Sequence, residues 1–183
     1  RTSKTVNGIT HSYVWQGSKL AADITDAYTL YFHYDSTGDV IGFTRTANGA
    51  DTEYFYVKNL QGDILKVITA TGTEAATYTY DAWGKLLTST GDMAEANPIR
   101  YRGYYYDTET GLYYLQSRYY DPEISRFINP DAFASTGRGI LGTNMFVYCN
   151  NEAVSLYDAL GCLPATSTMR TASGKRSLAD CII

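Results

Sequence analysis

The chain has 183 residues, 44% of them hydrophobic and 14% aromatic, with a formal net charge of −4. A chain this rich in aromatic residues buries enough surface to offset its ordering entropy, which excludes disorder. The charge provides no general basic field for nucleic acid, and no apolar run approaches the roughly 18 residues of a membrane span.

A short unit recurs along the chain: aromatic residues, then Asp or Asn, two or three spacers, Gly, a polar residue and an aliphatic pair. A weak copy is Trp15-Gln16-Gly17-Ser18-Lys19-Leu20, followed by Tyr34-Asp35-Ser36-Thr37-Gly38-Asp39-Val40-Ile41. It returns as Asn59-Leu60-Gln61-Gly62-Asp63-Ile64-Leu65 and Tyr80-Asp81-Ala82-Trp83-Gly84-Lys85-Leu86-Leu87. A copy one residue longer runs from Tyr106-Asp107 to Gly111-Leu112, so the glycines step by 21, 24, 22 and 27 residues. Asp or Asn at a strand end can bond to backbone N–H groups two residues on, and Gly takes the φ > 0 position of a tight loop. The flanking Tyr-x-Tyr and Leu/Ile/Val runs are the strands, as in Tyr54-Phe55-Tyr56-Val57 and Ile64-Leu65-Lys66-Val67-Ile68. No unit buries its own faces, so stacking is required. The pattern lacks sustained helical periodicity; residues 132–140 and 154–160 could each hold one helical turn at most. It predicts an all-β chain.

Residues 100–127 are the densest stretch: eight of the eighteen tyrosines lie between Tyr101 and Tyr120, broken by Gly, Asp and Pro. They read as back-to-back hairpins with aromatic faces. Cys149, Cys162 and Cys181 are an odd set without metal-site spacing, and His11 and His33 are far from them in sequence, so no metal or cofactor is expected. Gly137-Arg138-Gly139-Ile140-Leu141-Gly142 spells a dinucleotide fingerprint in the wrong context, with no buried strand before it and no helix pattern after it. Ser173-Gly174-Lys175-Arg176 lacks the first half of a P-loop. The opening at Arg1, without Met or a signal-peptide pattern, is that of a fragment of something longer.

These residues resemble the YD-repeat, or Rhs, family, and the stretch 97–162 is similar to its repeat-associated core module. The matching pieces are Pro98-Ile99-Arg100-Tyr101-Arg102-Gly103-Tyr104-Tyr105-Tyr106-Asp107, Gly111-Leu112-Tyr113-Tyr114-Leu115, Arg118-Tyr119-Tyr120-Asp121-Pro122 and Arg126-Phe127-Ile128. Asn144-Met145-Phe146-Val147-Tyr148-Cys149-Asn150-Asn151 and Asp158-Ala159-Leu160-Gly161 continue them in order. The resemblance implies stacked YD-repeat hairpins over 1–96, forming part of a spiral β-shell, a closing core over 97–162, and a short polar tail over 163–183. It implies a secreted or cell-surface polymorphic toxin with its own C-terminal segment as cargo. Two other readings remain open: a surface adhesion module binding glycan through aromatic strands, and an inert structural remnant.

By the same resemblance Asp131 and Asp158 are candidate catalytic residues, with Arg126 holding the geometry and the scissile bond between Cys162 and Leu163. Two carboxylates brought together can divide the roles of acid and base, and so hydrolyse a peptide without metal or covalent nucleophile. Such an enzyme would be at most a single-turnover aspartic autoprotease. The competing reading of both aspartates is as ordinary turn formers. Several residues depart from the family pattern: Ala159 replaces Pro, Glu152 replaces the Pro of Asn-Asn-Pro, Ser125 replaces Gly, and Cys162 replaces an apolar residue. They predict slow or absent cleavage, because the turn presenting the bond is looser without Pro.

Overall fold

The computed structural model describes residues 1–131, 144–158 and 161, together with the backbone of 168–171 and 174–177. It is all-β, as the repeat pattern predicts. Nine strands follow one another as an antiparallel meander: β1 (Ser3–Val6), β2 (Ile9–Gln16), β3 (Lys19–Ile24), β4 (Thr29–Tyr34), β5 (Val40–Ala47), β6 (Ala50–Lys58), β7 (Ile64–Thr69), β8 (Glu74–Tyr80) and β9 (Leu86–Thr90). Period-two alternation gives this sheet one covered face. In β4, Leu30 and Phe32 are buried while Tyr31 and His33 are exposed. Phe43 of β5 sits at the centre, its ring 6.1 Å from that of Phe32, 5.0 Å from Tyr54 and 5.7 Å from Tyr56.

The repeat unit is a turn with a fixed hydrogen-bond set. Asp35 Oδ1 accepts from the N–H groups of Thr37 and Asp39, both at 2.9 Å. Asn59 does the same for Gln61 and Asp63 at 3.0 and 2.9 Å, and Asp81 for Trp83 and Lys85 at 2.8 and 2.9 Å. Each turn closes on a glycine in the left-handed region, Gly38, Gly62 and Gly84 at φ 89°, 90° and 87°. A fourth turn has Thr69 in place of Asp, with the Thr73 N–H donating to its Oγ1 at 3.1 Å. The tyrosines before two of these turns reach back one hairpin. Tyr34 donates to the Leu20 carbonyl at 3.0 Å, and Tyr80 to that of Ile64 at 2.9 Å.

A second antiparallel sheet holds β10 (Tyr105–Asp107), β11 (Leu112–Tyr114), β12 (Tyr119–Asp121) and β13 (Arg126–Phe127). These are the hairpins read from the tyrosine-rich stretch. Their rings form a second core, with Tyr101, Tyr113, Tyr120, Phe127 and Tyr148 at 2% exposure or less. Each buried phenol needs a hydrogen-bond partner. Tyr101, Tyr120 and Tyr113 find theirs in the successive carbonyls of Ala82, Trp83 and Gly84, at 3.0, 2.7 and 2.8 Å. Three phenols from the second sheet and its approach therefore grip the last repeat turn of the first sheet.

Arg102 (φ 55°) makes a further link, donating to the Gln61 carbonyl at 3.1 Å and to the Ala153 carbonyl. A third sheet pairs β14 (Leu156–Tyr157) with β15 (Thr168–Thr171) and β16 (Gly174–Ser177). β15 lies between β14 and β16 and is antiparallel to both.

Candidate functional site

β13 positions the first carboxylate. Phe127 turns inward and its N–H donates to the Phe146 carbonyl at 3.0 Å, while Arg126 bridges Val147 across an antiparallel step. The pairing continues to Asp131, whose N–H donates to Met145 at 3.0 Å. This antiparallel return carries the chain through a left-handed turn at Cys149, Asn150 and Asn151 (φ 47°, 52° and 63°) and on through β14 to Asp158. The Asp158 N–H donates to Tyr104 Oη at 3.0 Å, and that hydroxyl lies 3.1 Å from Tyr148 Oη.

Asp131 and Asp158 are both 3% exposed, and they meet on one arginine. Arg118 Nη2 is 3.0 Å from Asp131 Oδ2 and 3.3 Å from Asp158 Oδ2. The two distances cap the separation of those oxygens at about 6 Å, within the range at which carboxylates couple. The contact to Asp131 is an ion pair by proximity, without the alignment of a hydrogen bond at Oδ2. Arg118 lies over the Phe127 ring, 3.5 Å from its centroid, and donates to the Met145 carbonyl at 3.0 Å. A planar guanidinium serves five acceptors in a fixed fork, which suits it to this crowded post.

The same arginine reaches the chain just ahead of the expected cut. Its Nε donates to the Gly161 carbonyl, which also accepts from Ser117 Oγ at 2.6 Å. The Gly161 N–H donates to Asp158 Oδ1 at 2.9 Å. Gly161 has φ 71°, and a Cβ there would sit 2.7 Å from the Leu115 carbonyl oxygen. Both hydrogen-bonding groups of this residue are therefore held, one of them by a candidate catalytic carboxylate. Cys162 and Leu163 lie outside the described residues.

Arg126 is placed differently from the sequence expectation. Alternation on β13 turns Phe127 inward and Arg126 to the other face, where its guanidinium donates to Asn151 Oδ1 at 2.7 Å. Arg118 stands at the carboxylates instead. The spacing and motifs of the sequence did not mark Arg118 or Ser117 for this site. The position of Arg118 just before the Tyr119-Tyr120 pair that opens β12 was the available signal.

The other expected sites resolve in simpler ways. Burial pushes the Cys149 thiol up to about 12, so it stays protonated and unreactive. Tyr101, Tyr104, Tyr113 and Phe127 are buried, and Tyr106 and Tyr119 are partly covered, so these rings do not line up toward solvent as a sugar platform would. Among the described residues no group of three or more His, Cys, Asp or Glu could hold a metal ion. Also among them, no helix is long and apolar enough to cross a membrane. The glycine-rich segment 137–142 lies outside the described residues.

The family model described as teneurin YD-shell matches residues 9–154. The chain is 36% identical over 166 residues to the "tRNA3(Ser)-specific nuclease WapA" of Bacillus spizizenii, covering 88% of this chain and 7% of that protein. It is 26% identical over 160 residues to the "Double-stranded DNA deaminase toxin A" of Burkholderia cenocepacia, covering 78% of this chain and 11% of that one. The chain thus spans only a small part of these relatives. The crystal structure of TcdB2-TccC3 shares the fold, with a TM-score of 0.64 and 21% identity over 87% of this chain and 8% of that one. With its repeat turns, its tyrosine-gripped second sheet and these matches, the chain is a member of the teneurin YD-shell family, of the Rhs-type YD-repeat kind.

Proposed function

We propose that this segment is a wall and closing core of the β-shell of a secreted or surface polymorphic toxin, and that the polypeptide following the core is the shell's cargo. Support comes from the relatives, a nuclease and a deaminase toxin by name, which extend far beyond the part this chain matches. The shell's chemistry on this reading is one self-cleavage. Asp131 and Asp158 hydrolyse the bond between Cys162 and Leu163, one carboxyl activating water and the other giving a proton to the leaving nitrogen. Arg118 holds the two carboxylates and the chain ahead of the bond in one frame.

The observation that carries this reading is the single guanidinium touching Asp131, Asp158 and the Gly161 carbonyl. Turn aspartates with no further role need no such convergence, as exposed Asp35 illustrates. Intact masses of Asp131→Asn and Asp158→Asn chains test it. Each is expected to stay whole under conditions where the unmutated chain loses its tail. Loss of the tail at the same rate in both variants contradicts the dyad.

A further inference from the structure

A second convergence lies on the opposite side of the second sheet, around the guanidinium of Arg1. Its Cζ is 4.8 Å from the ring centroid of Tyr13, 5.0 Å from Tyr105, 4.6 Å from Tyr114 and 6.0 Å from Tyr119. Those rings come from β2, β10, β11 and β12, so two sheets contribute. Asp107 closes the base as a fork: its Oδ2 accepts from Nη1 at 2.5 Å and its Oδ1 from Nη2 at 3.0 Å. The outer N–H groups are used as well, donating to Tyr119 Oη and Tyr13 Oη at 3.3 Å each. Tyr13 passes the polarity on, donating to Tyr105 Oη at 3.1 Å, and Tyr105 donates to buried Asp23 Oδ2 at 2.8 Å.

Only a flat, forked cation meets all of these features. Ring faces attract any cation, but two parallel N–H bonds to one carboxylate require a guanidinium. The ammonium option at Asp107 is already taken, since Lys4 Nζ donates to Oδ1 at 2.7 Å. Asp107 is 3% exposed at its side chain, so its charge depends on these two partners.

We propose that Tyr13, Tyr105, Tyr114, Tyr119 and Asp107 form a guanidinium-selective cage, filled in this chain by Arg1, which clasps the first sheet to the second. The cage is a receptor as well as a packing contact: with the side chain of Arg1 removed, it binds a free alkylguanidinium. This stands independently of the cleavage reading.

The test is chemical rescue of Arg1→Ala, followed by thermal unfolding of the full chain. The variant is expected to melt on the order of 10 °C below the unmutated chain, because buried Asp107 loses one of its two cations and four tyrosine rings lose the group they enclose. Millimolar ethylguanidinium is expected to restore several degrees saturably, while ethylammonium at equal concentration restores little. Arg1→Lys, which keeps the charge and loses the fork, is expected to melt nearly as low as Arg1→Ala. If Arg1→Ala does not fold alone, refolding in ethylguanidinium is expected to recover it, and failure to do so overturns the cage. Equal rescue by both cations, no rescue of a destabilised variant, or an unchanged melting point in either variant would each overturn it too.

Discussion

Two arginines eight residues apart in sequence separate what is structural from what is incidental at the carboxylate site. Arg118 is buried against Asp131 and Asp158, whereas Arg126 spans to Asn151 where the bond is exposed. Removing the cation from a buried ion cluster strands its anions, at about 3–5 kcal/mol, while a surface bond is worth under about 1. Arg118→Met is therefore expected to lower the urea midpoint sharply and Arg126→Met hardly at all; comparable shifts would mean that Arg118 does not hold the carboxylates. A glycine pair makes the same kind of contrast. At Gly84 (φ 87°) an added Cβ would lie 2.5 Å from the Tyr101 ring, whose hydroxyl is itself tied to Ala82. At Gly72 (φ 83°) it would meet open space. Gly72→Ala is expected to cost only the backbone strain of about 1–2 kcal/mol, and Gly84→Ala a further 1–3 for overpacking. Equal midpoints for the two variants would show that the Tyr101 contact yields freely.

At the scale of the hairpin, the repeat turn works through its side-chain oxygen. Hydrogen bonds, first from the Thr37 hydroxyl and then from the Asp39 amide, hold the Asp35 carboxyl down to about 2. The folded pKa is below the unfolded value near 3.9, so the turn's contribution is complete above pH 4 and is lost as pH falls through 2. Amide resonances of Thr37 and Asp39 are expected to titrate together with a midpoint about 2; a midpoint near 4 would show that the turn does not favour the charged form. These turns were legible because Asp or Asn and Gly recur at fixed spacing. The Thr69 turn escaped notice because a hydroxyl can replace the carboxylate as acceptor. The Asn7-Gly8 and Asn48-Gly49 hairpins, with both residues at positive φ, were also missed, although Asn-Gly is a strong hairpin signal. The meeting of Asp131 with Asp158 followed from one antiparallel return. The identity of the arginine did not, because which face of a two-residue strand points inward depends on the packing of Phe127 rather than on any local pattern.

Across the whole molecule, tyrosines do the work that aliphatic residues do in most β-sandwiches, and that choice carries a pH signature. Burial pushes the phenols of Tyr34 and Tyr101 up to about 12, and those of Tyr56, Tyr104, Tyr113 and Tyr148 well above the ordinary value. A phenol in the unfolded chain ionises near 10. The raised folded values mean that stability is complete below pH 10 and is lost as pH rises through 12. Phenolate absorbance of the buried set is thus expected to appear late and together with loss of β-sheet circular dichroism. Smooth ionisation of all eighteen tyrosines near pH 10 with the fold intact would contradict the tyrosine core.

On this proposal the carboxylates around Arg118 act on the chain they hold. Its most direct test is the intact mass of the freshly made, unmutated chain, followed over days and combined with N-terminal sequencing of any product. Slow appearance of two fragments is expected, the smaller beginning at Leu163. A chain that stays whole indefinitely, or one that is cut at any other bond, would contradict it.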